Sequence, residues 1–331
     1  MKAAVTGGSG VVGAALVSHL VEQGHDVVAL SRSPVSEARL QGLGASSLRG
    51  ELLEDRDVRT LVRGADVVFH VAGVNEMCSR DPEFMWQVNV EGTRSVMRAC
   101  QAEGVGRLVH TSSAVTIGEE SGEVATEESQ HRGFFLSEYE RSKHEAERVL
   151  FAEADGLEVV SVNPSSVQGP GRSTGTGRIF LVAANGSLPV LFDTTISLVD
   201  IDDCARGHLL AAERGISGRR YIISGATLDM REAMRLLAEH SGRAGTPWYV
   251  TPEAVRGLAA VVEFGFRALR KHPPFCREAA RVMLHGHHYD GSRAASELGL
   301  EYTPVSETIR RTIDWFASEG LLKGRNDRTT G

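Results

Sequence analysis

The sequence predicts an α/β fold: a doubly wound parallel sheet, followed by a smaller mixed α/β region. Strands and helices alternate through the N-terminal half, a glycine-rich turn follows the first strand, and the alternation ends after Asn163-Pro164. Such alternation buries a parallel sheet between two helical layers, with right-handed crossovers. We expect one domain over residues 1–163, a second region over 164–320 that partly returns to the first sheet, and a polar tail over 321–331.

Short β-branched runs locate the strands, and a 3.6-residue apolar period locates the helices. The first strand is expected at residues 3–6, and the helix after it presents Leu16 and Leu20 before Gly24 ends it. Further strands are expected at 26–30, 66–70, 107–111 and 157–162, with a helix over 84–100. The loop after Pro164 is too long to be a simple connection, and its residues 169–177 are expected to border a ligand.

The composition excludes several classes of protein. Of the 331 residues, 41% are hydrophobic and 24% charged, which is ordinary for a globular protein and not for a disordered or coiled-coil chain. The net charge of −7 disfavours a nucleic-acid partner. No signal peptide is evident, and the most apolar stretch, residues 258–269, is too short and too charged to span a bilayer. We therefore expect a soluble cytoplasmic protein.

The cysteines and histidines give no metal or disulfide signature. Cys78, Cys100, Cys204 and Cys276 form no C-x-x-C pair, so we expect reduced, packed thiols. His285, His287 and His288 have no carboxylate or cysteine at a familiar ligand spacing, and we predict no metal. The acidic residues between 119 and 128 are expected to lie in a solvated loop that borders the entrance to the site.

The turn after the first strand, TGGSGVVG at residues 6–13, carries the strongest motif. Gly7 allows the tight turn, Gly10 lets a pyrophosphate approach the backbone, and Gly13 allows close packing of helix on sheet. The amino end of the helix supplies free N–H groups to the phosphates. A glycine triplet alone is often a generic turn, but here it lies between a strand and a helix, as dinucleotide binding in a Rossmann fold requires.

The end of the second strand distinguishes NADP from NAD. NAD-binding chains place an acidic residue there to hold the ribose hydroxyl, whereas this chain reads Ser31-Arg32-Ser33. A guanidinium between hydroxyls suits a 2′-phosphate, so we predict that NADP(H) is preferred over NAD(H). The alternative is that Arg32 is only a solvated loop charge.

Tyr139 and Lys143 are four residues apart in a segment of strong helix character, which places both on one helical face. We expect the ammonium to lower the pKa of the phenol, so that the phenol can exchange a proton with a carbonyl or alcohol oxygen. Thr111-Ser112-Ser113 lies at the end of a strand, where hydroxyls project into the ligand crevice of an α/β sheet.

Together these motifs resemble the extended short-chain dehydrogenases/reductases of the NAD-dependent epimerase/dehydratase superfamily. The matching segments follow the family's order: residues 6–13, 50–52, 70–73, 89–93, 111–114, 139–143, 163–164 and 198–203. Residues 81–93 and 177–210 most resemble the dihydroflavonol-reductase-like branch. That branch includes hopanoid-associated sugar epimerases and is close to the 3β-hydroxysteroid dehydrogenases.

The resemblance implies a role for each matched residue. Tyr139 would be the catalytic acid/base, Lys143 would hold the nicotinamide ribose, and Ser113 would orient the substrate oxygen, with Ser112 as its rival. The cofactor would contact residues along the whole crevice. These are Gly7, Gly10, Val11, Val12 and Gly13 at the pyrophosphate, Glu51 and Leu52 at the adenine, Ala72 and Gly73 at the adenine-side ribose, Asn89 as support, and Pro164 and Val167 at the nicotinamide.

The predicted function is reduction of a ketone or aldehyde, or oxidation of a secondary alcohol, by hydride transfer. Two alternatives remain open: a nucleotide-sugar epimerase with bound NAD, and a non-catalytic NADP-binding regulator, although such regulators usually lack the Tyr/Lys pair. Residues 285–290 lack the arginine that grips a nucleotide-sugar diphosphate in epimerases, although Arg277 or Arg281 could replace it. A dehydratase is disfavoured because Ser112 and Ser113 replace the Asp-Glu pair of that class.

The apolar residues of the C-terminal region suit a hydrophobic substrate, although ordinary core packing explains them equally well. They are Trp248, Tyr249, residues 258–266, Pro273, Pro274, Phe275 and Met283. The resemblance also implies a homodimer that pairs the helices over residues 84–103 and 137–154.

Overall fold

The computed structural model describes residues 1–243, 245 and 247–323. Most of the predicted polar tail, residues 324–331, lies outside the described residues. The strands are β1 (Lys2–Thr6), β2 (Asp26–Ser31), β3 (Ser46–Arg49), β4 (Val67–His70), β5 (Arg107–Thr111), β6 (Glu158–Pro164), β7 (Ser166–Gln168), β8 (Val190–Leu191), β9 (Thr195–Asp200), β10 (Arg220–Ile223), β11 (Ala226–Asp229) and β12 (Trp248–Tyr249).

Twelve α-helices accompany the strands in the described residues. They are α1 (Val11–Glu22), α2 (Pro34–Gly42), α3 (Asp55–Val62), α4 (Pro82–Trp86), α5 (Gly92–Glu103), α6 (Glu138–Glu153), α7 (Thr176–Ala184), α8 (Ile201–Arg214), α9 (Met230–Ser241), α10 (Pro252–Ala268), α11 (Arg277–His285) and α12 (Val305–Ser318). A π-helical segment, Gln87–Glu91, joins α4 to α5, so the helix predicted over residues 84–100 is interrupted rather than regular.

The main sheet has seven parallel strands in the order β10-β6-β5-β4-β1-β2-β3, which confirms the predicted doubly wound Rossmann fold. Helices cover both faces, so the central strands are apolar throughout: Ala3, Ala4 and Val5 of β1 are fully buried. The order reverses between β1 and β4, and ligands of open α/β sheets bind at such a switch point.

The later chain contributes to both parts of the molecule. β10 pairs with β6 as the seventh strand, and α8 packs against α1 and β5 on the same sheet. A second sheet, β11-β9-β7, packs with α7, α9 and α12. The boundary at residue 163 stays a prediction, because β6 runs through it to Pro164.

Two of the four cysteines are bonded to each other, so the expectation of four unpaired thiols is wrong. Cys78 and Cys276 form a disulfide across a sequence separation of 198 residues. Cys100 and Cys204 are free and buried, as expected. The spacing of the cysteines in the sequence could not reveal this disulfide, because it joins two distant segments: the loop after β4 and the chain just before α11.

Within the described part of the chain, none of the helices combines the length and the apolar character needed to cross a membrane.

Candidate active site

The glycine turn between β1 and α1 forms a cradle in which Gly7 and Gly13 have no room for a side chain. Gly7 has a φ of +72°, and a Cβ there would lie 2.5 Å from the backbone nitrogen of Ala72. A Cβ on Gly13 would lie 2.1 Å from the carbonyl oxygen of Gly7. Gly10 caps α1 without a side-chain hydrogen bond, which leaves the first amides of the helix, at Val11 and Val12, facing outward. The turn therefore fits a dinucleotide pyrophosphate.

The predicted adenosine end lies at the edge formed by β2 and β3. The amide of Gly50 donates to the carbonyl of Ser31, which brings Arg32 and Glu51 to the same edge. Arg32 and Glu51 are exposed, and Leu52 is buried. The hydroxyl of Ser33 already caps α2 by accepting from the amide of Ser36, so it is less available to a phosphate than the sequence implied.

Asn89 ties the loop after β4 to the helix that carries Tyr139. Its Oδ1 accepts from the amide of Val74 at 2.7 Å, and its Nδ2 donates to the carbonyl of Val74 and to Oγ of Ser142. A Cβ on Gly73 would lie 3.1 Å from Oδ1 of Asn89 and 3.8 Å from Nζ of Lys143. Asn89 lies in the π-helical segment, a local distortion that is frequent at functional sites.

Ser113, Tyr139 and Lys143 converge at the carboxyl end of β5. Ser137 caps α6 by accepting from the amide of Glu140, which places Tyr139 in the first turn of the helix. The Ser113 hydroxyl lies beside the Tyr139 phenol and acts to lower its pKa. Ser112 is buried, and its Oγ has no partner in the described residues. Of the two adjacent serines, Ser113 is therefore the one beside Tyr139.

The expected lowering of the Tyr139 pKa by Lys143 is wrong for this structure. Burial raises the pKa of Tyr139 above its usual value, and the neighbouring Ser113 hydroxyl and the charge of Arg172 oppose that rise. The Lys143 ammonium instead donates to the carbonyl of Thr111 at 2.6 Å. Burial lowers the pKa of Lys143 to about 8, with Glu147 opposing the shift.

Pro164 and Val167 are both buried where the main sheet meets the second sheet. Ser165, between them, donates its amide to the carbonyl of Ile223. The loop beyond them returns toward the glycine turn, since a Cβ on Gly171 would lie 3.8 Å from Cγ1 of Val11. The substrate loop predicted at residues 169–177 therefore lies against the same crevice as the glycine turn.

Arg172, in that loop, is a site residue that the sequence reasoning missed. Its Nε is buried without a hydrogen-bond partner among the described residues, and its charge acts on Tyr139. The only available signal was an arginine in a glycine-rich loop of the region predicted to bind substrate.

A second missed residue is Glu278, in the first turn of α11. Its carboxylate accepts from the amide of Glu138 at 2.7 Å and from the amide of Cys78 at 2.8 Å. Together with the Cys78–Cys276 bond, it fixes the start of α11 next to the start of α6. One side of the crevice is thus tied to the C-terminal region.

The acidic loop is only partly solvated, contrary to expectation. Glu119 is 1% exposed, and its Oε1 accepts from Nδ1 of His287 at 2.7 Å. Glu127 is nearly buried and accepts from the amide of Ile222. Glu120, Glu123 and Glu128 are exposed. The fold thus brings the carboxylate of Glu119 next to His285 and His287, a proximity that the spacing in the sequence did not show.

The apolar residues expected to form a substrate wall divide into two groups. Phe275 and Met283 pack into a core cluster with Phe192, Val255 and Ala259. Trp248, Tyr249, Leu258 and Phe264 are exposed at the surface. Ordinary core packing therefore explains the first group, and the second group needs another explanation.

Comparison with known proteins agrees with this geometry. The pattern of the NAD dependent epimerase/dehydratase family matches residues 3–224. The chain belongs to this family. It is accordingly an NAD(P)-dependent oxidoreductase of the short-chain dehydrogenase/reductase type that uses a nicotinamide cofactor.

Individual relatives cover nearly the whole chain. A Synechocystis sp. protein named as a candidate dihydroflavonol 4-reductase is 32% identical, over 96% of this chain and 95% of its own. A 2-alkyl-3-oxoalkanoate reductase of Stenotrophomonas maltophilia is 32% identical, over 94% and 98%. The crystal structure of a protein named gox2253 superposes with a TM-score of 0.84 at 30% identity, over 97% and 99%. These matches confirm the extended family and its dihydroflavonol-reductase-like branch.

Proposed function

We propose that this protein is an NADP(H)-dependent reductase or dehydrogenase that interconverts a ketone or aldehyde and its alcohol. The observation that carries the proposal is the convergence of Ser113, Tyr139 and Lys143 at the carboxyl end of β5, beside the glycine cradle. The relatives named as reductases support carbonyl reduction over other chemistry of the family.

The chain's own residues would hold the oxygen and move its proton. The bound nicotinamide supplies or accepts the hydride. Ser113 would hydrogen-bond to the substrate oxygen as it gains negative charge, and the O–H of Tyr139 would donate a proton to that oxygen. Because burial raises the pKa of Tyr139, the phenol stays protonated at neutral pH and suits the reductive direction. In oxidation the same phenol would accept the proton.

Lys143 and the turn residues would bind the cofactor. The Lys143 ammonium, which would hold the nicotinamide ribose, lies near Gly73 of the loop after β4. Gly7, Gly10 and Gly13, with the amides of Val11 and Val12, would hold the pyrophosphate. Leu52, Ala72, Pro164 and Val167 would line the crevice, and Asn89 would keep its two sides together.

The substrate is proposed to be a hydrophobic small molecule. The relative from Stenotrophomonas maltophilia is named for a 2-alkyl-3-oxoalkanoate, which is a keto carboxylate whose ketone lies between apolar alkyl chains. A panel of aliphatic, aromatic and steroid ketones, followed by NADPH absorbance, would define the preferred class.

Tyr139→Phe tests the assignment of the acid/base. It should lower turnover at least hundredfold, because the proton donor is lost while the ring remains. Binding of NADPH, followed by fluorescence, should change little. Tyr249→Phe, at an exposed tyrosine of β12, is the matched control. Equal turnover in Tyr139→Phe and the wild type would remove Tyr139 from the mechanism.

The epimerase alternative has a distinct outcome in the same assays. Interconversion of a nucleotide sugar without net NADPH or NADH consumption would assign the crevice to epimerisation. Absence of any turnover, with NADPH still bound, would favour the regulatory alternative.

Arg32 is proposed to select NADP(H) by pairing with the 2′-phosphate. Arg32→Asp should weaken NADPH binding about 10- to 100-fold, since a hydrogen-bonded charge pair is lost, and should leave NADH binding nearly unchanged. Arg235→Asp, on α9 outside the main sheet, is the control. A similar loss of affinity for NADPH and NADH would show that Arg32 does not bind the 2′-phosphate.

A homodimer through residues 84–103 and 137–154 and a cytoplasmic location stay predictions. Light scattering in solution would measure the first, and cell fractionation the second.

A further inference from the structure

Helix α10 has two apolar faces, and only one of them is buried. Val255 and Ala259 are 2% and 0% exposed and pack into the core. Leu258 is 46% exposed, Val261 71%, Phe264 75% and Leu269, just after the helix, 68%. At 100° per residue, Leu258, Val261 and Phe264 follow one another about 60° apart on an exposed arc of the helix that adjoins the buried stripe, with Leu258 about 60° from Val255. We call Leu258, Val261, Phe264 and Leu269 the α10 face.

Exposed aromatic side chains also lie immediately before this helix. Trp248 is 80% exposed and Tyr249 is 49% exposed, both on the two-residue strand β12. Single exposed apolar residues are ordinary, but six large ones within residues 248–269 are a concentration that marks an interaction surface.

The stretch of chain that contains the α10 face is rich in basic side chains, although the whole chain carries a net charge of −7. Six exposed ones lie within residues 248–285: Arg256, Arg267, Arg270, Lys271, Arg277 and Arg281. The acidic residues of the same stretch are Glu253, Glu263 and Glu278, and Glu253 alone is exposed. Arg256 pairs with Glu253, and Arg267 and Arg277 pair with Glu263. Arg270, Lys271 and Arg281 have no ion pair among the described residues.

The α10 face belongs to the segment that closes one side of the crevice. α10 packs against α11, whose Glu278 holds the amides of Glu138 and Cys78. The side chain of Arg80, in the loop after β4, donates to the carbonyl of Arg270 at the end of α10. α10 is thus connected, through α11, to the start of α6, which carries Tyr139.

A lipid bilayer accounts for these observations better than a second copy of the chain. Two copies that met through this face would bring their basic residues together, and like charges across an interface oppose association. An amphipathic helix with exposed Leu and Phe beside Lys and Arg is instead typical of helices that lie in the plane of an anionic membrane surface.

We propose that the α10 face docks on an anionic lipid bilayer, with Leu258, Val261, Phe264 and Leu269 among the acyl chains and the basic residues at the headgroups. The helix lies along the surface and does not cross the membrane. This docking is independent of the reaction proposed above, because it requires neither cofactor nor turnover.

Co-sedimentation of the full chain with lipid vesicles tests the proposal. Vesicles of phosphatidylcholine with phosphatidylglycerol should bind the wild type, and pure phosphatidylcholine vesicles should bind it several-fold less. Phe264→Glu should reduce binding to the anionic vesicles about tenfold or more, because a carboxylate would enter the acyl region. Val35→Glu, at an isolated valine of α2 that is 80% exposed, should bind as the wild type does.

The contribution of the basic residues to binding and the oligomeric state of the protein are measured on the same samples. Arg270→Gln with Lys271→Gln should lower binding to the anionic vesicles roughly 10- to 30-fold and make it less sensitive to salt. The proposal would be overturned if Phe264→Glu sedimented with anionic vesicles as well as the wild type does. It would also be overturned if the wild type bound neutral and anionic vesicles equally. Light scattering that shows a dimer in the wild type and a monomer in Phe264→Glu would assign the face to a second copy instead. Circular dichroism of each variant would verify folding.

Discussion

An added methyl group would have opposite consequences in the nucleotide-binding turn and in helix α10. At Gly13 it would lie 2.1 Å from the carbonyl oxygen of Gly7, whereas at Gly257 or Gly265 it would meet nothing within 4 Å. The turn is shaped by the backbone itself, which leaves no room for a side chain at Gly7 or Gly13. α10 places side chains on an open surface, where the backbone constrains little.

The difference shows how the two regions recognise ligands. A pyrophosphate is common to every dinucleotide, so backbone amides and a tight turn are sufficient to bind it. A substrate or a membrane must be distinguished by shape, charge and apolar area, and side chains provide these properties. The region after Pro164 therefore holds the exposed apolar side chains of α10, the disulfide partner Cys276 and the charge of Arg172.

The largest expected effect compares glycine substitutions in the two regions. Gly13→Ala should weaken NADPH binding more than about 100-fold and lower the free energy of unfolding by about 3 kcal/mol, because the turn must open. Gly257→Ala should leave binding unchanged and raise the free energy of unfolding by about 0.5–1 kcal/mol, since alanine favours the helix. Urea unfolding and NADPH fluorescence measure both. Similar effects at the two sites would contradict the contrast.

The disulfide tests how strongly the C-terminal region is tied to the crevice. Cys78→Ser should lower the free energy of unfolding of the oxidised protein by about 2–4 kcal/mol, because a loop of 198 residues is no longer closed. Thermal unfolding with and without dithiothreitol measures this effect. The wild type should respond to the reductant, and Cys78→Ser should not. If dithiothreitol left the Tm of the wild type unchanged, this result would show that the disulfide does not form in solution.

Lys143→Met, on the nucleotide-binding side, should raise the free energy of unfolding while it abolishes activity. Folding lowers the pKa of Lys143 from 10.5 to about 8, so burial of the ammonium costs most below pH 8, and this cost disappears as pH rises toward 10.5. The variant should therefore be more stable by about 3 kcal/mol at pH 7 and by much less at pH 10, and should lose activity. Urea unfolding at the two pH values measures this, with Lys143→Arg as the charged control. An equal gain in the free energy of unfolding at both pH values would show that packing of the methionine, and not loss of the buried charge, causes the gain.

The smallest expected effect concerns Arg172, which acts on Tyr139 from the substrate loop. Its positive charge lowers the pKa of Tyr139, so Arg172→Met should raise that pKa further. In the oxidative direction, which needs the phenolate, the rising limb of the pH–rate profile should move to higher pH. Arg178→Met, at an exposed arginine of α7, should leave the profile in place. A fall in rate at all pH values without a shift would indicate positioning of the substrate instead.

Local patterns were sufficient to predict most of the nucleotide-binding side. The predicted strands begin and end within one or two residues of β1, β2, β4, β5 and β6, because buried parallel strands read as short β-branched runs. β3 was missed, since its sequence, SSLR, is polar and no residue of it is buried. The glycine turn was located correctly, because the spacing of its glycines follows from steric exclusion within eight consecutive residues.

Contacts between distant residues could not be predicted in this way. Cys78 and Cys276 are 198 residues apart, and Glu119 meets His287 across 168 residues. Neither pair leaves a period or a spacing in the sequence. Burial likewise reversed an expectation: Tyr139 and Lys143 share a helical face, yet the local surroundings of the phenol raise its pKa.

The sequence by itself determined the fold, the cofactor class and the identity of the candidate acid/base, because each depends on neighbouring residues whose geometry the backbone fixes. Only the tertiary structure decided which serine lies beside Tyr139, which cysteines are bonded, and that α10 leaves one apolar face in solvent. These outcomes depend on which surfaces are covered when elements far apart in the chain pack together. An amphipathic period shows that a helix has an apolar face, but packing decides what that face contacts.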